Sequence, residues 1–105
     1  MALNKGTFEN SQKIQENWSA IKYLRGHKDN IFEVKWAPDS YHLASCGVDG
    51  DIYIWNMNSP SPIHVLKEHD NYVNGLVFDP IGRYMASQSN QDKKVIIWKI
   101  HDDYK

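Results

Sequence analysis

An internal repeat of 42 residues constrains this chain more than any other feature of its sequence. The segments 27–31 and 69–73 align at that spacing, and further pairs then match: Val34 with Leu76, Trp36 with Phe78, Pro38 with Pro80, and Ala44-Ser45 with Ala86-Ser87. Trp55 pairs with Trp98 at a spacing of 43, so the second copy carries one extra residue in the turn that precedes its last strand. A period of about 40–45 residues is typical of β-propeller blades, which have four strands each.

Short apolar runs separated by turn residues predict eight β-strands. The predicted strands are 21–24, 31–37, 42–46 and 52–56 in the first copy, and 63–67, 73–79, 83–88 and 95–100 in the second. We therefore expect an all-β chain, with four-stranded antiparallel blades that form an incomplete propeller ring. The predicted organisation is a polar N-terminal loop or linker over 1–20, one repeat over 21–62 and a second repeat over 63–105.

The charge, the cysteine count and the lack of long apolar runs argue against several kinds of function. The net charge is −1, from 12 basic and 13 acidic residues, so no overall charge favours nucleic acid or an anionic membrane. Cys46 is the single cysteine and has no second thiol to pair with, and no Cys/His cluster has metal-ligand spacing. No run of about 18 apolar residues occurs. We expect no cofactor, no metal, no membrane contact and no direct sequence-specific binding of nucleic acid.

Four polar and aromatic positions recur in each copy and carry the most specific signal. The first tetrad is His27, Ser45, Asp49 and Trp55, and the second tetrad is His69, Ser87, Asp92 and Trp98. An indole N–H only donates, whereas Ser and His each donate and accept, so the four side chains can satisfy one another in a buried chain. We expect each Trp to be buried, with its indole N–H bound by the Ser of its own copy.

These residues resemble the WD-repeat family, in which Gly-His opens the unit and Trp-Asp closes it. The resemblance covers residues 21–100, with departures at Glu68-His69, Trp55-Asn56 and Trp98-Lys99. It implies that each unit begins with the outermost strand of one blade and continues into the inner three of the next. Only one blade, 31–56 followed by 63–67, is then complete.

Ser, His and Asp together also suggest a hydrolase, which the sequence does not favour. Ser45 and Ser87 lie inside apolar strands and not in the Gly-x-Ser-x-Gly turn that presents a nucleophile. The trio also recurs at the repeat period, as a structural unit does. Cys46 in its apolar strand is interpreted as a small core residue, and His42, His64 and His101 as single surface residues. We therefore predict that the chain is not an enzyme.

A sharper resemblance lies in the second copy. The run 73–88, with Gln88 after Ala86-Ser87, is similar to the HIRA/Hir-type histone chaperones, and Glu16-Asn17-Trp18 agrees. This resemblance implies a nuclear scaffold in replication-independent nucleosome assembly and repression of histone genes, bound to other chaperone subunits and indirectly to histones. The propeller subunit of the replication-coupled chromatin assembly factor remains an alternative, since it shares the Asp-Pro-x-Gly turn. A generic WD-repeat adaptor in ubiquitin-ligase or trafficking machinery is another.

Period-two alternation predicts where a partner binds. If Ile31 and Val73 point into the blade, their neighbours point toward solvent, together with the residues before the turn acids. The predicted partner-binding surface is Asn30, Phe32, Val48, Tyr72, Asn74 and Gln91. Strands 21–24 and 95–100 would each leave an edge unpaired, so the isolated chain is expected to self-associate.

Overall fold

The computed structural model describes residues 17–101 and residue 104, which form two antiparallel sheets. The first sheet has four strands in chain order, and the second has three. In the first sheet the strands are β1 (Ile31–Trp36), β2 (His42–Gly47), β3 (Ile52–Asn56) and β4 (His64–Leu66), and in the second they are β5 (Gly75–Phe78), β6 (Tyr84–Ser89) and β7 (Lys94–Lys99). Within the described residues the two sheets form no closed ring.

The strand that completes the first sheet comes from the second sequence copy. β4 pairs with β3 through Ile52 opposite Leu66 and Tyr53 opposite Val65. The predicted fold class and the single complete blade are confirmed. The sequence boundaries 21–62 and 63–105 remain a prediction, and residues 1–16 of the predicted linker lie outside the described part of the chain.

The core lies between the two sheets. Ala44, Cys46, Ile52 and Ile54 of the first sheet pack against residues of the second copy, namely Val73, Leu76 and Met85. β2 and β3 supply their side of this core by alternation, because every second residue of a strand points to the same face. Burial of these side chains stabilises the pair of sheets at about 25 cal/mol for each Å² of apolar surface removed from water.

The predicted strand 21–24 is wrong. This segment has no regular secondary structure, because a strand needs an open backbone edge beside it. β4 already occupies the outer edge of the first sheet. The segment instead crosses the outside of that sheet, where Lys22 Nζ donates to the Met57 carbonyl at 2.5 Å.

Ile31 does not lie in a core, although Val73 at the equivalent position is fully buried. A register shift between Ile31 and Glu33 places Ile31 opposite Gly47, on the face of the first sheet that points away from the second. Val73 faces the first sheet and is covered by it. The side chains of Ile31 and Val73 therefore point to equivalent faces of the two copies, but only Val73 is covered by another sheet.

Candidate functional site

The second tetrad forms a continuous chain of hydrogen bonds. Trp98 Nε1 donates to Ser87 Oγ at 2.8 Å, and the Ser87 hydroxyl lies 2.8 Å from His69 Nε2. His69 Nδ1 lies 3.0 Å from Asp92 Oδ2. Because Ser87 Oγ accepts from Trp98, its own hydrogen is free to bond to His69, whose other nitrogen then donates to the carboxylate.

Asp92 also ties two turns together. Its carboxylate accepts the backbone N–H groups of Asp70 and Lys94, each at 2.9 Å. Burial acts to raise the pKa of Asp92, but the hydrogen bonds from His69 and from these two N–H groups lower it below its ordinary value. The carboxylate is therefore ionised at neutral pH and holds the loop before β5 against the turn before β7.

The first tetrad has the same members but lacks one link. Trp55 Nε1 donates to Ser45 Oγ at 2.8 Å, and Ser45 Oγ lies 2.6 Å from His27 Nε2. His27 Nδ1, however, is 3.6 Å from Asp49 Oδ2, too far for a hydrogen bond, and this buried nitrogen has no partner among the described residues. Burial lowers the pKa of His27 below 6.5, against the opposing effect of Asp49.

Tyr53 accounts for the missing link. Its hydroxyl donates to Asp49 Oδ2 at 3.3 Å, the same oxygen that His27 would need, and its ring centroid lies 3.9 Å from that of His27. Ile96 holds the equivalent position in the second copy and has no donor. One residue difference between the copies therefore opens the first network and leaves the second closed.

The connectivity of Asp92, His69 and Ser87 is also that of a hydrolase triad, but the setting differs. Ser87 is 1% exposed, and its oxygen is already held by the Trp98 indole. A nucleophilic oxygen has to reach a substrate and needs an oxyanion site beside it. This arrangement instead uses the serine as a junction between two buried side chains, which suits a structural network.

Two expectations about burial are wrong. Trp55 is buried, but Trp98 is only half-buried, because no described strand pairs with the outer edge of β7. Trp55 lies on β3, whose outer edge is paired with β4, and Gly26 lies close beside its indole ring. His42, expected at the surface, is also buried. His42 Nδ1 lies 2.7 Å from Asp39 Oδ2, and the His42 ring stacks on Tyr104 with the ring centroids 3.7 Å apart.

Cys46 is a core residue with no exposed surface. Burial, with the nearby Glu33 carboxylate, raises the pKa of its thiol from 9.0 to about 12. A thiol is nucleophilic as the thiolate, so Cys46 stays in its unreactive form at neutral pH.

An aromatic patch spans the two sheets at the end where the His-bearing loops lie. We define it as Phe32, Tyr72 and Gln91. Phe32 is 49% exposed and meets Tyr72 edge to face, with ring centroids 5.6 Å apart. Gln91 Nε2 donates to the Tyr72 hydroxyl at 2.8 Å. The patch thus joins β1 of the first sheet to two loops of the second copy.

The other predicted surface residues surround this patch. Asn30 is exposed, whereas Val48, Tyr72 and Asn74 are half-buried. The Asn30 carbonyl accepts the N–H of Val48 at 2.9 Å, and Asn74 Oδ1 accepts the N–H of Asn90 at 3.3 Å. Val48 and Asn74 therefore support the loops more than they face solvent.

Sequence reasoning missed Glu33, the polar link between the sheets. Its Oε1 accepts the backbone N–H of Leu76 on the inner edge of β5 at 2.7 Å. Glu33 aligns with Gly75 of the second copy. A carboxylate that occurs in only one of the two copies is the sequence signal that could have pointed to this contact.

Two findings concern other kinds of site. Among residues 17–101 and 104, no group of three or more His, Cys, Asp or Glu side chains is arranged to hold a metal ion. In the same part of the chain, no helix combines the length and apolar character needed to cross a membrane.

Comparisons with known proteins agree with this geometry. Residues 18–56 and 60–99 each match the family described as "WD domain, G-beta repeat". The solved structure described as "Structure of U3-55K" superposes with a TM-score of 0.67 at 28% identity, over 72% of this chain and 25% of that one.

Two curated relatives are similar to this chain over most of its length. The chain is 37% identical over 81 residues to a subunit of "Chromatin assembly factor 1" of Mus musculus, in a match that covers 77% of this chain. It is 33% identical over 96 residues to "Protein hir1" of Schizosaccharomyces pombe, in a match that covers 91%. The chain spans only 14% and 10% of the lengths of these relatives.

Proposed function

We propose a scaffold function on one premise: this chain belongs to the WD-repeat family. It is part of a protein-binding scaffold and is not part of an enzyme. In both copies the Ser of the Ser-His-Asp set is buried and held by the His and the Trp of its tetrad. The tetrads then serve the fold, and the function lies on the surface that the fold presents.

The observation that carries this proposal is the aromatic patch. Phe32 and Tyr72 come from the two copies, and each is held in place by the other ring or by Gln91. Phe32 is exposed and Tyr72 half-buried. Aromatic side chains held at the surface in a fixed geometry anchor protein interfaces, because they bury a large area at little cost in side-chain entropy. We propose Asn30, Phe32, Val48, Tyr72, Asn74 and Gln91 as the partner-binding surface, with the two rings at its centre.

We further propose that the scaffold belongs to a histone chaperone of the Hir type. The support comes from the names of the relatives and from the extent of the match to "Protein hir1", which covers 91% of the chain against 77% for the chromatin assembly factor. The finer proposal is a nuclear protein in replication-independent nucleosome assembly and in repression of histone genes. Its direct partners would be other chaperone subunits, with histones bound indirectly.

The replication-coupled chromatin assembly factor is the second candidate, favoured by the higher identity of 37% to the matching protein of that factor. A generic WD-repeat adaptor that binds a peptide in ubiquitin-ligase or trafficking machinery shares the fold and is the third.

Affinity capture of the full-length protein from its own cells separates these candidates. We expect chaperone subunits and histones in the eluate, both outside and within S phase. Capture confined to S phase, together with the replication machinery, would replace the Hir-type proposal by the second candidate. An eluate with ubiquitin-ligase or coat components and no histones would overturn the chromatin proposal altogether.

A further inference from the structure

A cavity of about 150 Å³ lies in the interface between the two sheets. Its apolar lining comes from both sheets: Ile54, Leu66, Phe78, Met85, Trp98 and Ile100. Ile54 and Met85 belong to the buried core, and the other four side chains pack against it. Phe78 ends β5, whereas Tyr72 precedes that strand. The cavity therefore lies at the opposite end of the second sheet from the aromatic patch.

The size and lining of the cavity favour an aromatic ligand. A water molecule in a protein interior needs two or more polar partners, and an apolar cavity of about 150 Å³ lined by Leu, Ile and Phe stays dry and binds benzene. Phe78 and Trp98 offer ring faces and edges to a bound ring. The Met85 thioether makes favourable contacts with aromatic rings as well.

His64 gives this apolar site one polar feature. Its Nε2 donates to the Tyr104 carbonyl, because a carbonyl oxygen only accepts. The Tyr104 ring is stacked on His42, which holds that carbonyl in place. In an imidazole with one ring proton, Nδ1 is then the acceptor, and no residue in the described part of the chain donates to it. His64 and Tyr104 both line the cavity.

We propose that this cavity binds a small aromatic molecule of one or two rings that carries a single N–H or O–H donor. Indole is the simplest example. Its rings lie among the six apolar side chains, and its N–H donates to His64 Nδ1. This inference rests on the fold and not on the proposed chromatin partner, so it stands or fails separately from that function.

Two ligands and two variants of the full-length protein test the site at pH 8. Indole and benzofuran have nearly the same size, but benzofuran has no N–H. Leu66→Phe fills the cavity, and Ser61→Phe, in the exposed loop between the copies, is its matched control. His64→Leu removes the acceptor. Saturation-transfer NMR of the ligands gives the dissociation constants, and melting temperatures show whether each variant folds. Ile100→Phe replaces Leu66→Phe if the latter does not fold.

The wild-type protein and S61F are expected to bind indole about fivefold more tightly than benzofuran, which is the factor that one hydrogen bond between neutral groups supplies. H64L should bind both ligands with the affinity that the wild type has for benzofuran, and L66F should bind neither. A wild-type protein that does not bind indole, or that binds the two ligands equally, would overturn the proposal. So would a preference for indole that persists in H64L, or binding by L66F that matches S61F.

N-acetyltryptophanamide distinguishes two sources of the ring, a free small molecule and the side chain of a bound peptide. A cavity of about 150 Å³ has room for the indole rings but not for two amide groups as well. We therefore expect N-acetyltryptophanamide to bind the wild-type protein more weakly than indole does. Binding as tight as that of indole would assign the ring to a tryptophan of a peptide and overturn the proposal of a small molecule.

Discussion

At the residue scale, one hydroxyl oxygen in each tetrad joins a tryptophan to a histidine. Ser45 Oγ accepts the Trp55 indole N–H and lies within hydrogen-bond distance of His27, and all three side chains are buried. An unpaired buried donor costs about 1–3 kcal/mol. The serines are therefore small residues with a large effect on stability.

Replacing Ser45 by alanine is expected to lower the free energy of unfolding by about 1–3 kcal/mol, because the Trp55 indole N–H loses its acceptor. Denaturant titration followed by tryptophan fluorescence measures the change. Ser61→Ala, in the exposed loop between the copies, is the control and should leave the unfolding midpoint unchanged. An S45A variant as stable as the wild type would show that the network contributes nothing.

The missing hydrogen bond between His27 and Asp49 in the first tetrad predicts how stability depends on pH. Burial lowers the pKa of His27 below 6.5, so the unfolded chain binds a proton more readily than the folded chain does. The stability that depends on neutral His27 is present above pH 6.5. It is lost as the pH falls from that value toward the lower pKa of the folded state.

Tyr53→Phe should raise the pKa of His27, because Asp49 Oδ2 is released from the tyrosine hydroxyl and becomes free to accept from His27 Nδ1. NMR titration of the His27 ring protons in both proteins measures the shift. His69 is the internal control, since Ile96 beside its network has no hydroxyl to remove. A His27 pKa that is unchanged or lower in Y53F would refute the competition between Tyr53 and His27.

At the element scale, the turns of the two copies share a backbone shape but not the residue that suits it. Ser40 and Gly82 are equivalent and have φ of 59° and 87°, and Gly50 and Lys93 are equivalent and have φ of 80° and 60°. A left-handed conformation costs a residue with a Cβ about 1–2 kcal/mol relative to its ordinary conformations, whereas glycine adopts it readily. Each copy therefore holds one strained turn and one relaxed turn.

Lys93→Gly is expected to stabilise the chain by about 1 kcal/mol, because it relieves the left-handed strain that Gly50 avoids in the first copy. Thermal unfolding measures the effect. Gly50→Ala is the opposite control and should destabilise, since its backbone is left-handed and the added Cβ would lie 3.1 Å from the Asn71 carbonyl. A K93G variant that melts below the wild type would contradict this account of the turns.

At the scale of the whole molecule, the repeat made most of the fold predictable. Seven of the predicted strands occur, and the fourth strand of the first sheet comes from the second copy as the family resemblance implied. The strand 21–24 was predicted wrongly because alternation shows which residues suit a strand, but not whether a free edge lies beside them.

The sequence predicted the hydrogen bonds that each copy makes within itself. It did not predict the burial of residues whose cover comes from another sheet or strand. The contacts from each Trp through Ser to His occur within a copy. The exposure of Ile31 and Trp98 depends instead on whether another sheet or strand covers them. Tyr53 broke the symmetry of the tetrads, and a difference of one hydroxyl at an aligned position carries no pattern of its own.

Partner capture by a Phe32→Ala/Tyr72→Ala variant of the full-length protein tests the central claim most directly, with the melting temperature measured on the same sample. Ile21→Ala/Tyr23→Ala is the matched control, because these side chains are exposed and lie outside the patch. We expect F32A/Y72A to lose bound partner at a nearly unchanged melting temperature, whereas the control keeps both. Capture by F32A/Y72A at the wild-type level would contradict the claim that this surface binds the partner.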